Sequence, residues 1–404
     1  MSTRLLYHAF GLVGYRYVSQ SFVDGEVTYR IEKPREHHRC SACGSANVWD
    51  QGGTERVFRA VPIGSKPVRL QLKVPRVLCF DCGKVRQVKL GFADPKKHYT
   101  RAFERYVLEL SKLMTLQDVA KHLRMSWDTV KDIVARSLQR RFGNPRLHKL
   151  KKIAIDEIAV SKGHRYLTVV LDLVSGAVVF VGDGKGVESL KPFWRRVKRA
   201  RAKIVAVATD MSKPYIRAVR ENLPKAVHVF DHFHVVKLFN EKLSAFRREL
   251  HRELASEADR KVLKGTRWLL LKNPENLDPK RNEKERLEEA LRLNAPLALA
   301  YYLKEDLRQI WLQADQRTAR RVLRDWIARA RASGIRMLAQ FADTLQEYQK
   351  GILAYYQHRI STGPLEGTNN KIKTMKRQSY GCRDLAFFKL KILGLHEAKH
   401  ALVG

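Results

Sequence analysis

Hydrophobic and polar positions divide the chain into segments of different period. Residues 1 to about 98 alternate short apolar runs, such as VRLQLKVPRVLCF, with glycine and proline turns, which is typical of β-strands. From about 100 to 142 apolar residues recur at helical spacing and predict two short packed helices: Leu116, Val119, Ala120 and Leu123, then Val130, Ile133 and Val134. We therefore expect a β domain at 1–98 and a helical domain at 99–145.

A different pattern begins near residue 152. Three adjacent apolar runs, KIAIDEIAV, RYLTVVLDLV and AVVFVG, predict strands, and two more, KIVAVATD and AVHVF, alternate with helices at about 187–201 and 213–222. Residues from about 232 to 358 are helical and highly charged, with breaks at Gly265, Pro274, Pro279, Pro296 and Gly334. This order predicts a multidomain α/β protein whose core, 146–238 and 359–404, is interrupted by a helical insertion at 239–358.

Charge indicates the partner. The chain has 404 residues, with 78 lysines and arginines against 41 aspartates and glutamates, and a formal net charge of +37. Because such an excess repels itself in a compact state, a polyanion is expected to neutralise it, and nucleic acid is the leading choice. No apolar run reaches the roughly 18 residues that span a bilayer, and the first residues lack the features of a secretory signal. We expect a cytoplasmic protein with no membrane partner.

Four of the five cysteines form two Cys-x-x-Cys pairs: Cys40 with Cys43, and Cys79 with Cys82. In a reducing compartment such pairs indicate a metal site, and two pairs complete the tetrahedron that Zn²⁺ prefers. The number of residues between the first pair and the second is large, and β-strands formed by the chain between the two pairs would explain it. Reduced core cysteines, or a ligand supplied by His37 or His38, are the alternatives. Cys382 stands alone and is expected to be an inert small hydrophobe.

The segment TLQDVAKHLRMSWDTVKDIV is typical of a helix-turn-helix, although its turn lacks the usual glycine. In that motif the first turns of the second helix enter the major groove of double-stranded DNA. The candidate base-reading residues are therefore Ser126, Trp127, Thr129 and Lys131. An αα-hairpin within a core is the alternative interpretation.

Three acids stand where a metal site could form. Asp156 follows the apolar run IAI, Asp210 ends the run IVAVATD, and Glu366 lies in the first turn of a helix that Pro364 would begin. Three converging carboxylates repel one another without metal, but they suit two divalent cations held against a phosphodiester. Each aspartate could instead be a turn or cap residue. The residues expected to share the helix face of Glu366, and to meet a DNA backbone, are Asn370, Lys373 and Arg377.

The runs IAIDEIAV, VATDMSKPY and STGPLEGTNNKIK resemble the three catalytic boxes of bacterial insertion-sequence transposases of the DDE class, in the ISL-three group. The cysteine pairs and the helix-turn-helix occur in the same order in that group, so the resemblance covers nearly the whole chain. It implies a ribonuclease-H-like catalytic core, preceded by a zinc-ribbon-like β domain and a helix-turn-helix. It also implies that Asp156, Asp210 and Glu366 bind Mg²⁺ or Mn²⁺.

The resemblance extends to supporting residues. Asp231 and His234 resemble an Asp-x-x-His element that follows the second acid in related families, although the histidines here could simply satisfy hydrogen bonds at a strand-to-helix junction. Trp268, in the insertion, stands where related enzymes use an aromatic side chain to stabilise an extruded base, although a lone tryptophan is more often part of a core.

These observations predict a transposase that binds the terminal inverted repeats of its element and then cleaves and joins DNA strands. A homodimer or larger assembly on element ends and target DNA is expected, in a bacterial nucleoid. The alternatives are a domesticated DNA-binding regulator without catalytic activity and a junction-resolving nuclease of the same fold.

Overall fold

The structure, a computed structural model, describes residues 3–161, 165–254, 256–379 and 384–403. The chain divides into two compact units, Met1–Gln139 and Arg140–Gly404. The prediction for Cys382 falls outside the described residues.

A β-sheet dominates the first unit. Its elements are α1 (Thr3–Phe10), β1 (Arg16–Val23), β2 (Glu26–Glu32), β3 (Val48–Ile63), β4 (Lys66–Cys79) and β5 (Val85–Gln87). The strand order is β1-β2-β4-β3, with β5 also paired to β4. On β4 the side chains of Leu70, Leu72 and Val74 are buried, as alternation along a half-buried strand requires. The predicted β fold of this region is confirmed.

Three helices follow: α2 (Arg101–Leu113), α3 (Leu116–His122) and α4 (Trp127–Phe142). The prediction of two short helices was wrong in number and length, because α2 precedes the predicted pair and α4 has 16 residues. The apolar positions were read correctly, since Val119, Ala120, Leu123, Val130 and Ile133 form one buried cluster.

The second unit contains a mixed sheet with helices around it. Its first elements are β6 (Lys152–Ser161), β7 (Arg165–Asp172), β8 (Val178–Asp183), α5 (Val187–Ala200), β9 (Ala206–Thr209), α6 (Lys213–Asn222) and β10 (Val227–Phe230). The strand order is β10-β9-β6-β7-β8, in which β6, β9 and β10 run parallel and β7 and β8 antiparallel to their neighbours. Apolar residues of α5 and α6, among them Phe193 and Tyr215, pack with Ile153 and Val207 of the sheet.

Helices make up the rest of this unit. They are α7 (His232–Glu253), α8 (Glu257–Gly265), α9 (Arg267–Leu271), α10 (Glu283–Leu293), α11 (Ala295–Gln309), α12 (Gln316–Ala332), α13 (Arg336–Leu353), α14 (Gly363–Gln378) and α15 (Leu385–Leu393). One short 3-10 segment, Arg35–His37, belongs to the first unit. The others, in the second unit, lie at Pro274–Asn276, Pro279–Arg281, Ala354–Tyr356 and Gly394–Leu402. The predicted breaks coincide with helix ends or starts; at Gly334, for example, the backbone turns with φ of 71° between α12 and α13.

The helices from α7 to α13 share one core with Phe230 of β10, and in this core Phe239, Trp326 and Phe341 pack edge to face. Helix α7 begins directly after β10 and continues past residue 239 without a break. The proposed domain limits therefore stay predictions. None of the helices in the described ranges is long and apolar enough to cross a membrane.

Candidate active site and metal centre

Asp156 lies on a central strand of the sheet, and Asp210 directly follows the end of the neighbouring strand. Strands β6 and β9 are parallel neighbours, with Ala154 opposite Ala208, and each aspartate follows its alanine by two residues. Burial raises the pKa of Asp156, and the neighbouring charge of Asp210 acts in the same direction. A buried carboxylate beside a second one favours the protonated form unless a cation is present. This pair is therefore a suitable place for a divalent cation.

Helix α14 meets Asp156 through an asparagine. Asn369, which is only 5% exposed, donates a hydrogen bond from Nδ2 to Oδ2 of Asp156 at 2.8 Å. The other carboxylate oxygen, Oδ1, accepts from the backbone N–H of Glu157 at 2.8 Å. Since Glu366 lies one helical turn before Asn369, this contact brings the first turn of α14 to the strand that carries Asp156.

Glu366 itself is exposed in the first turn of α14. The three acids do not form a compact cluster: among the described residues, the four cysteines are the group of three or more potential ligands whose atoms all lie within 4.8 Å of one another. The hard oxygen donors suit Mg²⁺ or Mn²⁺.

Asp231, which directly precedes α7, is hydrogen-bonded to the start of α14. It is completely buried, and its Oδ2 accepts hydrogen bonds from His234 Nδ1 at 3.0 Å and from Thr362 Oγ1 at 2.7 Å. Burial alone would raise the pKa of Asp231, but these two hydrogen bonds and the nearby histidines hold it below its ordinary value. Thr362 is the N-cap residue of α14, so the side chain that would normally cap the helix instead anchors it to Asp231.

His234 faces the acids. Its hydrogen bond to Asp231 is the main cause of a raised pKa, and the charges of Asp156 and Asp210 act in the same direction. The cationic form is therefore favoured beside the aspartates. His228, on β10, has the opposite character: burial lowers its pKa to about 4, and its Nε2 lies 2.7 Å from Thr209 Oγ1.

The other residues predicted on α14 lie at the surface. Asn370, Lys373 and Arg377 are all exposed, and the contact to the strand is made by Asn369. Sequence reasoning missed Asn369 and Thr362, although the pair Asn369-Asn370 and the threonine before Gly363-Pro364 were visible. It also missed Glu157, whose Oε1 accepts hydrogen bonds from Tyr215 Oη at 2.7 Å and from the backbone N–H of Gly186 at 3.2 Å. This contact ties β6 to α6, the helix that follows Asp210.

The four paired cysteines converge at one point in the first unit. The Sγ atoms of Cys40 and Cys82 are 3.6 Å apart, as are those of Cys43 and Cys79. A tetrahedral site with Zn–S bonds of about 2.3 Å places sulfur atoms about 3.8 Å apart, so the residues fit zinc. Hydrogen bonds from the backbone N–H groups of Cys43 and Ala42 lower the pKa of Cys40 to about 6, which favours the thiolate.

The chain path explains the long step between the two cysteine pairs. Strands β3 and β4 form a hairpin that leaves the first pair and returns to the second, with Val48 opposite Cys79. Histidine does not replace a cysteine among these ligands, because the buried His38 ring is bonded to Asp50 Oδ1 at 2.7 Å and to the Lys33 carbonyl at 3.0 Å.

The helix-turn-helix is formed by α3 and α4. Its turn contains Arg124 in the left-handed region, with φ of 48°, where glycine would be usual. At the start of α4 the hydroxyls of Ser126 and Thr129 bond each other at 2.7 Å, and Ser126 Oγ accepts from the N–H of Thr129. Trp127 is 41% exposed, with Lys131 Nζ 5.3 Å from its ring centroid. An exposed first turn is the arrangement that groove binding requires.

Trp268 is 65% exposed on α9, with the Arg267 guanidinium 4.7 Å from its ring centroid. It is therefore not a core tryptophan, which was the alternative interpretation.

Comparison with known proteins places these features in one family. Residues 153–392 match the transposase family model of the ISL3 group, residues 88–138 match the helix-turn-helix domain of transposase family ISL3, and residues 36–82 match the zinc finger of the IS204/IS1001/IS1096/IS1165 transposases. The chain belongs to the ISL3 family of DDE transposases, enzymes that cleave and transfer DNA. It has the zinc ribbon, the DNA-binding helix-turn-helix and the catalytic domain of that family, in this order, and the ribonuclease-H-like core expected from the sequence is consistent with it.

Two relatives cover most of the chain. The transposase for insertion sequence element IS1001 of Bordetella parapertussis is 35% identical over 356 residues, 87% of this chain and 87% of the relative. The transposase for insertion sequence element IS1557 of Mycobacterium tuberculosis (strain CDC 1551 / Oshkosh) is 30% identical over 411 residues, 94% of this chain and 91% of the relative.

Proposed function

We propose that Asp156, Asp210 and Glu366 hold a pair of Mg²⁺ ions, which Mn²⁺ can replace, and that this site cuts the DNA at the ends of an insertion sequence. The observation that carries the proposal is that Asp156 lies on β6 and Asp210 directly follows β9, the parallel neighbour of β6, with α14 anchored beside Asp156. Bound divalent ions would activate the attacking oxygen and stabilise the leaving oxygen at phosphorus.

The surrounding residues position these ligands. Asn369 orients the Asp156 carboxylate, and Thr362 fixes the start of α14, so Glu366 can approach the aspartates with little movement of the backbone. Asp231 holds the ring of His234 through Nδ1, which leaves Nε2 as the nitrogen that can meet a DNA phosphate beside Asp156 and Asp210. A fixed cation near a phosphate that gains charge during the reaction stabilises that charge.

DNA recognition belongs to the first unit in this proposal. The zinc ribbon is structural. The first turn of α4 reads the terminal inverted repeats through the side chains of Trp127 and Lys131, because those of Ser126 and Thr129 are hydrogen-bonded to each other at the start of the helix. Lys373 and Arg377, exposed on α14, meet the DNA backbone. Two ends are held by a homodimer or larger assembly, so that strand cleavage at the ends precedes transfer to target DNA in the bacterial nucleoid.

The test is Glu366→Gln, assayed with purified protein, Mg²⁺ and overlapping DNA duplexes that cover both sides of the coding sequence. Removing one metal ligand should reduce cleavage at least about 1,000-fold, the scale of losing a principal transition-state contact, while binding to the end DNA stays close to that of the wild type. Glu289→Gln, an exposed glutamate of α10, is the matched control and should cleave normally.

The outcomes separate the proposed function from its competitors. Cleavage retained by Glu366→Gln would remove Glu366 from the site. Wild-type protein that binds and protects the ends without cutting them would be a regulator, and faster cutting of a four-way junction than of linear ends would indicate a junction-resolving nuclease.

A further inference from the structure

Glu157 follows Asp156 on β6 but points to the other face of the sheet. Successive side chains of a strand alternate between its two faces, and Asp156 meets Asn369 of α14 on one of them. On the opposite face Ile155 packs with Tyr215 of α6 in one apolar cluster. Glu157 shares the face of Ile155, so its carboxylate is directed to α5 and α6 rather than to α14.

Two donors hold the Glu157 carboxylate. Its Oε1 accepts hydrogen bonds from Tyr215 Oη at 2.7 Å and from the backbone N–H of Gly186 at 3.2 Å. Gly186 is the N-cap residue of α5, and Tyr215 lies in the first turn of α6. Tyr215 is only 2% exposed, so its hydroxyl is removed from solvent. One carboxylate oxygen therefore fixes the starts of two helices to β6.

A buried threonine extends this connection to β7. Thr168 is completely buried, and its Oγ1 lies 3.5 Å from Tyr215 Oη and 2.7 Å from Ser189 Oγ of α5. Thr168 Oγ1 also lies 3.0 Å from the carbonyl oxygen of Gly184, just before α5. Hydrogen bonds in a region of low dielectric are stronger than those in water. The first turn of α6 is thus held to the sheet by polar contacts as well as by apolar packing.

The same turn of α6 holds Asp210. The backbone N–H of Ser212, the N-cap residue of α6, donates a hydrogen bond to Asp210 Oδ1 at 3.0 Å. Tyr215 follows Ser212 by three residues, which is less than one helical turn. Burial is the main cause of a raised pKa of Tyr215, and the charges of Glu157 and Asp210 act in the same direction. The hydroxyl of Tyr215 therefore stays protonated and lies close to both carboxylates.

These contacts form a path from one aspartate to the other. Glu157 adjoins Asp156 in the chain, and its carboxylate accepts from Tyr215. Through Ser212 the first turn of α6 then reaches Asp210. A two-metal site for displacement at phosphorus has its ions about 3.5–4 Å apart, so the separation of its carboxylate ligands has to be fixed.

We infer that Glu157 and Tyr215 are positioning residues, which set the separation of Asp156 and Asp210 for a pair of divalent cations without contacting either cation. This inference rests on the proposed function, which assigns the two aspartates as ligands. It gives a role to the second acid of β6, which faces away from α14 and its Asn369.

The test measures cation binding directly. Mn²⁺ is titrated into the purified full-length protein, freed of Mg²⁺ and without DNA, and the unbound ion is followed by electron paramagnetic resonance. Tyr215→Phe removes the donor and Glu157→Ala the acceptor. Each should weaken Mn²⁺ binding about 10- to 100-fold, the scale of losing a group that orients a metal ligand. The double variant should bind little more weakly than either single one, because both changes break the same hydrogen bond.

Glu157→Gln distinguishes positioning from direct coordination. The amide oxygen of glutamine can still accept from Tyr215 and Gly186 but carries no charge. We expect Mn²⁺ binding close to that of the wild type. A loss as large as that of Glu157→Ala would mean that the carboxylate acts on the cations itself, and the positioning role would be overturned.

Tyr356→Phe is the matched control for a loss of stability. Tyr356 Oη donates to the carbonyl oxygen of Ile310 at 2.6 Å, so this variant also removes a hydrogen-bonded hydroxyl. Denaturant unfolding should show similar destabilisation of Tyr356→Phe and Tyr215→Phe, whereas only Tyr215→Phe should weaken Mn²⁺ binding. Equal Mn²⁺ affinities of these two variants would contradict the inference.

Cleavage of end DNA keeps this inference apart from the proposed function. Wild type that binds Mn²⁺ and cuts DNA, together with variants that bind Mn²⁺ equally well, overturns the positioning role alone. Weaker Mn²⁺ binding by Tyr215→Phe and Glu157→Ala, without cleavage by any of the proteins, supports the positioning role and overturns the nuclease. Wild type that binds no Mn²⁺ overturns both.

Discussion

The zinc site and the proposed acid site of this protein differ in how closely the folded chain brings their ligands together. The four cysteines of the ribbon already have all their sulfur atoms within 4.8 Å, whereas the three acids of the catalytic domain do not come together in this way. Thiols can lie in contact because each can stay neutral, but carboxylates in contact repel at neutral pH. The backbone of the ribbon therefore brings its four sulfur atoms together, whereas the proposed acid site would need cations between its carboxylates.

The difference also lies in what supports each ligand. Each cysteine pair lies in one local turn. The N–H of Gly44 donates a hydrogen bond to the carbonyl oxygen of Cys40, and the N–H of Gly83 donates one to the carbonyl oxygen of Cys79, at 2.9 Å in both cases. The acids depend on contacts between residues far apart in the chain, such as Asn369 with Asp156 and Thr362 with Asp231. The turn at each cysteine pair depends on a few adjacent residues, whereas the long-range contacts of the acids depend on the folded domain.

The largest effect should follow from removing a zinc ligand. Cys79→Ser leaves three thiolates, and because metal binding by such ribbons supplies folding free energy directly, we expect loss of the bound zinc, unfolding of the ribbon and loss of binding to the end DNA. Zinc content by mass spectrometry of the native protein and DNA binding measure this. Cys382→Ser, at the remaining cysteine, is the control and should keep both. A Cys79→Ser protein with wild-type zinc content would contradict the four-cysteine site.

A smaller effect should follow at the acid site, where the ligand-orienting residue can be removed without touching a ligand. Asn369→Ala deprives Asp156 of a hydrogen bond, and losses of this type commonly cost about 10- to 100-fold in metal affinity or activity. We expect cleavage to fall by that factor and to recover in part at high Mg²⁺, while DNA binding is unchanged.

The neighbouring residue provides the control for this prediction. Asn370 is exposed, and Asn370→Ala should change cleavage little. The opposite ranking of the two variants would mean that α14 turns its other face to Asp156 when metal and DNA are bound.

The contrast between local and long-range contacts also explains what could be predicted from the sequence. The apolar runs before Asp156 and Asp210 were sufficient to place Asp156 on a strand and Asp210 at the end of one, and the spacing of the cysteines was sufficient to predict the ribbon. The identity of the residue that contacts Asp156 was not predictable, because Asn369 and Asn370 differ by one step around a helix whose rotation depends on packing.

Other features needed the folded chain as well. The turn of the helix-turn-helix lacks glycine, yet Arg124 adopts the required positive φ at a modest cost. Helix α2 was not predicted as a helix of its own before α3 and α4.

The smallest predicted effect concerns pH and separates the histidines around the acid site. Burial lowers the pKa of His228 from 6.5 to about 4, so the folded state holds this ring neutral while the unfolded chain protonates it. Its contribution to stability is therefore complete above about pH 6.5 and declines as the pH falls toward 4. Discounted for partial exposure, the loss should be about 1–2 kcal/mol in the free energy of unfolding.

Denaturant unfolding at neutral and mildly acidic pH measures this loss. The free energy of unfolding should fall less steeply with acid in His228→Gln than in the wild type. His148→Gln, at an exposed histidine, should follow the wild type, and parallel curves for all three proteins would show that His228 does not titrate in this way.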